Sequence, residues 1–364
     1  MYGFEPSEEQ KMLIDAIQRY TTNDLRPAAH DADEGGFLSE DLIEKGWELG
    51  ILQASLPENY GGFGEYSAVT GVLAAEELAH GDLAGGIAVL TPGLYAMPIF
   101  LAGTEQQKES LLPAVIEAEW KPYTAALIEP RFDFDPNDLK TEAIEFGDEY
   151  LLSGEKVFVP YADQAEAYII YAKLDDATQG FIVEADAEGV EVGERQAMMG
   201  VNALPLHKIK LEKVRVPMEN KIGGQSSIDF EKILSSFRIA TASLGVGLAR
   251  AAFEYSRDYA KDRDVFGVKV AQKQAIAFML AEMATEIEAI RLLTWEAAWM
   301  IDEGKEEAAK YAYLAQTGAM DMAMMVTDRA VQILGGHGYI REHPVEMWMR
   351  CGRGIASFTG LAMV

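Results

Sequence analysis

The chain has 364 residues, 49% of them hydrophobic and 25% charged, which places it in the globular range and excludes fibrous, disordered and small disulfide-held classes. Its 59 acidic residues against 31 basic ones give a formal charge of −28. A phosphate backbone or an anionic membrane is repelled by that field, and an anionic nucleotide thioester would have to be gripped by local cations.

The single cysteine, Cys351, excludes an intramolecular disulfide, and the histidines at 30, 80, 207, 337 and 343 show no metal-ligand spacing. Residues 1–10 are acidic and polar with no apolar signal region, and no run approaches the ~18 apolar residues of a membrane span. A cytoplasmic chain with no metal, no nucleic-acid partner and no membrane partner is expected.

From residue 7 to about 115, apolar positions recur at helical spacing, as at Leu13, Ile14, Ile17 and Tyr20, behind an N-cap region of Ser7, Glu9 and Gln10. Pro and Gly break the period at 57–64 and 91–93. Between about 122 and 217 the pattern changes to two-residue alternation, in 150–159, 167–172, 180–183 and 209–216. Turn chemistry stands at Phe146-Gly-Asp, Ser153-Gly-Glu, Asp175-Asp-Ala and Ala187-Glu-Gly.

The helical period returns from about 228, where Ile276, Met279, Leu280, Met283, Ile287, Ile290 and Leu293 trace one apolar stripe. Helices, then strands, then helices predict an α+β, mainly α, fold: an N-terminal all-α domain over 1–121, a central β-barrel or sandwich over 122–225 and a C-terminal helical bundle over 226–364. The absence of βαβ alternation argues against a doubly wound dinucleotide-binding sheet.

Four features stand out, each with an ordinary structural reading. Gln332-Ile-Leu-Gly-Gly-His-Gly-Tyr339 sets three glycines after an apolar helix, where backbone amides can approach a phosphate; a helix cap and turn is the plain alternative. Arg263-Asp-Val-Phe-Gly267 sets a cation beside an aromatic at a helix end. Leu56-Pro-Glu-Asn-Tyr-Gly-Gly62 reads as punctuation between helices, and His337 as a surface or backbone-bonded histidine. No GxSxG, P-loop, GxGxxG or HExxH string occurs, which removes serine-hydrolase, NTPase, nicotinamide-dehydrogenase and metalloprotease readings.

Taken in order, LPENYGG (56–62), AGTEQQKESLLP (102–113), IEP (128–130), GEKVFV (154–159), VRVPMEN (214–220), RDVFG (263–267), QKQAIAFMLAEMA (272–284), QILGGHGY (332–339) and PVEMWMR (344–350) resemble the acyl-CoA dehydrogenase family across nearly the whole chain. The resemblance implies a helical domain, a central β domain and a four-helix bundle. It also implies FAD at a dimer interface, oxidation of an acyl-CoA thioester to the 2,3-enoyl-CoA, and electron transfer to an electron-transfer flavoprotein. A glutamate removes the α-proton in that family while hydride leaves to the flavin.

Position by position, the resemblance places Thr359 where the usual glutamate stands and Phe237 at the alternative base position, one residue before Arg238, so no catalytic base is carried over. The string that lines the flavin ring and thioester reads Ile128-Glu-Pro-Arg-Phe-Asp-Phe-Asp135, and the segment against the ring reads Phe158-Val-Pro-Tyr161. Leu361 replaces a threonine, and relatives usually run on from the position of Val364 into a further helical segment. By contrast, Arg263, Phe266, Gln274, Gln332, Gly335 and Gly336 match cofactor-binding positions of the arm that reaches a neighbouring subunit's FAD.

This asymmetric loss implies a non-catalytic subunit of an α2β2 heterotetramer, similar to those acting on bulky thioesters such as steroid side chains. FAD would be shared at the interface with a paralogous, base-containing partner. Two alternatives stay open: a self-sufficient flavoenzyme with a relocated base at Asp133 or Asp135, and a family member that binds acyl-CoA or a protein without redox chemistry.

Overall fold

A computed structural model describes residues 4–117 and 119–364. Residues 1–3, the start of the acidic N-terminal stretch, and residue 118 lie outside the described residues. Helices come first: α1 (Glu8–Tyr20), α2 (Arg26–Gly35), α3 (Glu40–Trp47), α4 (Ile51–Ala54), α5 (Ala68–Gly81), α6 (Leu83–Leu90), α7 (Gly93–Ala102) and α8 (Glu105–Val115).

Their starts are fixed by caps. Ser7 and Gln10 form a reciprocal capping box on α1, Thr104 and Gln107 form another on α8, and the Asp82 carboxylate accepts the Gly85 N–H at 2.8 Å on α6. The Gln107 amide also donates to the Glu219 and Lys221 carbonyls, each at 2.8 Å, and so pins α8 to the strand-rich unit. Helices α6 and α7 read apolar all round because both are buried. They bend by 47° at the break, and among the described residues no single helix is long and apolar enough to cross a membrane.

Seven strands follow: β1 (Thr124–Ala126), β2 (Glu142–Phe146), β3 (Glu149–Pro160), β4 (Ala167–Leu174), β5 (Ala177–Glu184), β6 (Val190–Arg195) and β7 (Leu206–Pro217). They form one sheet in the order β1-β4-β2-β3-β7-β6, with β5 on the other edge of β4. β1 runs parallel to β4, whereas β2 touches β4 only at the Glu142–Lys173 pair, so the sheet opens between them and curves as a half-barrel.

Ser153-Gly-Glu155 is not the turn the composition suggested. β3 runs through it with a bulge, because a side chain at Gly154 would stand 2.6 Å from Thr141 Oγ1, and the glycine is there for that close approach.

The last third holds α9 (Phe230–Asp262), a two-strand hairpin of β8 (Asp264–Val265) and β9 (Val268–Lys269), α10 (Gln274–Asp302), α11 (Ala308–Leu334) and α12 (Val345–Gly354). α9 packs against α5 and α11 in the main core, fully buried along Ile239, Ala242, Val246 and Ala249. The stripe on α10 is only partly covered: Met283 and Ile287 are buried, Ile276, Met279, Leu280, Ile290 and Leu293 are half-buried, and Phe278 and Leu292 are exposed. Helical spacing shows an apolar face but not whether its cover comes from the same chain.

Two polar nodes join the helical units. Glu76 of α5, 1% exposed, pairs with Arg250 of α9, Arg291 of α10 at 2.8 Å, and the Trp295 indole at 3.2 Å. At the far end of α10, Asp302 caps α5 through the Ala68 and Val69 amides at 2.6 and 3.2 Å and the Ser67 hydroxyl at 3.0 Å. A charge buried with this many donors holds only one arrangement of α5, α9 and α10.

Candidate functional site

An open cleft of about 640 Å³ lies between the half-barrel and the end of the bundle, a volume in the usual range of small-molecule sites (~300–1,000 Å³). Its walls come from residues 128–132 and Phe134 of the loop after β1, from Val157 and Phe158 on β3, from Gln196 and Lys208, and from Thr359. The register of β3 breaks between Lys156 and Val159, and Phe158 sits at φ +57° with Tyr161 at +51°. That left-handed conformation is strained for aromatic residues and lifts the Phe158 ring into the wall.

Beneath the loop is a closed ionic group. Lys156, fully buried, donates to the Leu127 carbonyl and to Glu129, both at 3.1 Å, while Glu129 accepts the Lys140 and Thr141 amides at 2.8 Å. Burial pulls the Lys156 ammonium down to about 8 against the opposing pull of Glu129. Burial works to raise the Glu129 carboxyl, but Lys156 and the two amides override it and hold the group below its ordinary value. Glu129 is the one carboxylate among the lining residues, and it is fully engaged in holding the loop.

The two positions at which a base was sought hold none. Thr359 is half-buried and its hydroxyl accepts from the Gln316 amide of α11. Phe237 is fully buried on α9, edge-on to Tyr171 at 6.0 Å, and Arg238 beside it pairs with Glu231 and lies over the Tyr313 ring at 5.3 Å. Asp133 points outward, 84% exposed, and pairs with Arg131 at 3.3 Å; the Asp135 carboxylate accepts the Asn137 N–H at 2.9 Å in a local turn. Neither aspartate lines the cleft.

The second candidate surface is at the other end of the bundle. The ends of α9 and α11 and the start of α10 meet there, because α9 and α11 run the same way and the β8–β9 hairpin returns the chain into α10. Arg263 caps the end of α9 through its backbone and is exposed, and its guanidinium makes no hydrogen bond or ion pair to any described residue. Phe266, at φ +55° on the hairpin turn, is 93% exposed, and the Lys273 ammonium lies over its ring at 5.5 Å. The side chains of Gln274 and Gln332 are exposed and unbonded among the described residues, and a Cβ built on Gly335 or Gly336 would meet nothing within 4 Å.

His337 proves to be neither a surface residue nor bonded to backbone. It is half-buried, bonded to the Tyr259 hydroxyl at 2.9 Å and stacked on His343 at 5.2 Å. His343 in turn meets the Tyr255 hydroxyl at 2.7 Å. This four-ring cluster was not legible in the sequence, since its members come from α9 and from two turns far along the chain. Among the described residues no three His, Cys, Asp or Glu side chains stand together as a metal site.

Models of the acyl-CoA dehydrogenase N-terminal, middle and C-terminal domains match residues 7–119, 124–214 and 229–361. The chain is similar to the caffeyl-CoA reductase-Etf complex subunit CarC of Acetobacterium woodii, 33% identical over 377 residues that cover 98% of this chain and 96% of the relative. It is 32% identical to the cyclohex-1-ene-1-carbonyl-CoA dehydrogenase of Geobacter metallireducens over 97% of this chain and 95% of that one. The solved butyryl-CoA dehydrogenase of Megasphaera elsdenii superposes with a TM-score of 0.89 at 32% identity, over 99% of this chain and 96% of its own.

Proposed function

The chain belongs to the acyl-CoA dehydrogenase family, and from that premise we propose that it is the subunit that completes a partner's flavin site and does not itself remove the substrate proton. The family implies FAD, and the two candidate surfaces differ in how they suit it. At the cleft, the Phe158 N–H is spent on Gln196 Oε1 at 2.9 Å, the Val157 N–H on the Ile128 carbonyl at 2.9 Å, and Pro160 has no N–H to give. Arg131 and Asp133 stand where the family has glycines, Arg131 is turned to Glu129 and to Asp133, and Phe132 between them stands fully exposed on the rim. These residues do not fit a flavin ring.

The other surface fits the opposite end of the cofactor. A guanidinium, two amide side chains, an exposed aromatic ring and an open glycine turn are the donors and the stacking face that a pyrophosphate and adenosine require. When bound, FAD would supply the hydride-accepting chemistry. What this chain adds is the grip on the cofactor's far end by Arg263, Gln274, Gln332 and the turn at Gly335 and Gly336, with Phe266 packed against it.

One observation carries the reading: the Arg263 guanidinium has no partner among the described residues of a chain with nearly twice as many acids as bases. An exposed cation left unpaired among so many carboxylates is placed for an anion from outside the chain. A paralogous, base-containing subunit would supply the ring-binding face and the glutamate, an electron-transfer flavoprotein would accept the electrons, and an α2β2 heterotetramer would hold half the flavin of a homotetramer.

Native mass spectrometry with a flavin absorption spectrum tests this, on the chain alone and with its paralogue. A flavin-free chain that joins a tetramer carrying two FAD per four subunits is expected. A homo-oligomer with one tightly bound FAD per chain overturns the reading.

A further inference from the structure

Directly after Thr359 the chain turns at Gly360, φ +97°, and residues 361–364 leave the cleft wall for the interior. Leu361, Ala362, Met363 and Val364 are 1%, 0%, 2% and 8% exposed. They run in among the N-terminal helices, which have made room for them. A Cβ at Gly71 of α5 would stand 2.6 Å from that of Val364, and one at Gly93 of α7 would stand 3.1 Å from the Met363 carbonyl. What remains of the space between α3 and α7 is a void of about 20 Å³, bounded by Trp47, Leu52, Leu90, Met97, Met363 and Val364. Such a void holds about one water and no alkyl chain.

We propose that residues 361–364 act as a built-in acyl chain. They start beside Thr359, where the reacting carbon of a thioester would lie, and occupy the apolar route along which an acyl group would pass from the cleft into the interior. The inference rests on the partner-subunit reading for the place of that carbon, and deepens it: this chain's own half-site is closed to the substrate's tail as well as unsuited to the flavin ring. Burying an acyl chain raises affinity about fourfold per methylene, and with the route filled that gain is denied to any acyl thioester. A subunit without chemistry of its own thereby avoids an empty apolar channel, which would cost stability in proportion to its volume, and does not compete with its partner for substrate.

The test is photolabelling with a butyryl-length acyl-CoA carrying a terminal diazirine, on the full chain alone and in the complex, with labelled peptides mapped by mass spectrometry. The wild-type chain is expected to carry no label on Trp47, Leu52, Leu90 or Met97. The double variant Met363→Ala with Val364→Ala, and the milder Met363→Ala should the double variant fail to fold, are expected to gain at least tenfold more label there. Label at those walls in the wild-type chain, or its absence from the folded variants too, overturns the proposal. Flavin content is read from the same samples: one FAD per chain would sink the partner-subunit reading, whereas the label map alone decides whether the route is filled.

Discussion

The Tyr259 hydroxyl lies 2.9 Å from Nδ1 of His337, and this contact ties the last turn of α9 to the glycine turn that closes α11. Arg263 and Phe266 follow four and seven residues after the tyrosine, so the bond sets the spacing between the cation and the open glycines. Tyr259→Phe keeps the ring and removes the bond, which is worth about 1 kcal/mol. The assembled complex is expected to hold its flavin about fivefold less tightly, with little change in melting temperature, as read by flavin fluorescence on dilution.

Arg263→Ala separates binding from folding more sharply. The side chain is exposed and unpaired among the described residues, so its loss should change stability by no more than about 0.5 kcal/mol. Charge-assisted bonds to an anion are worth about 1.5–3 kcal/mol. Flavin retention by the complex is expected to fall by about tenfold or more. Unchanged retention in an equilibrium dialysis would place the cofactor elsewhere.

The buried pair under the cleft loop predicts a rescue. Lys156→Met removes the buried cation from Glu129, leaving only Arg131 at 3.3 Å to face the carboxylate, and is expected to cost about 3 kcal/mol in urea unfolding. Adding Glu129→Gln removes the buried negative charge and should return part of the loss, since the amide oxygen still accepts one of the Lys140 and Thr141 N–H groups while its NH2 replaces the oxygen that met the other. A double variant no more stable than Lys156→Met would show that the charge is not what the lysine neutralises.

Asp82 predicts a pH dependence. Burial lifts its carboxyl from 3.8 to about 6, although the Gly85 amide pulls the other way. The native chain therefore holds more protons than the unfolded chain between about pH 4 and 6, and this group's contribution to stability falls as pH rises through that window. Asp82→Asn keeps a capping oxygen and drops the charge. It should stabilise the chain by about 2 kcal/mol at pH 7 and by nothing at pH 3.5, measured by thermal unfolding at the two pH values.

Much of this architecture was legible from residue pattern because local rules agree with the fold. Ser7 and Gln10 are a capping pair in sequence and in space, and 167–172 is a strand as expected, although all six residues are buried and the expected alternation of its faces is absent. Thr359 and Phe237 could be singled out from the strings around them. Features made by long-range contact could not. Gly154 has turn chemistry but serves a bulge against Thr141, and His337 finds Tyr259 from 78 residues away. The apolar residues 361–364 have no period to say that they belong inside the first helical unit.

That last arrangement has a consequence for how the chain is made. The walls around Met363 and Val364 run from Gly46 to Met97, in the first third of the sequence. They leave the ribosome long before the residues that fill the space between them. Folding that proceeds from the N-terminus during synthesis must therefore carry an unfilled apolar hollow until residues 361–364 have emerged. A truncated translation product would keep the helices and expose the hollow, a signal that chaperones and proteases can read.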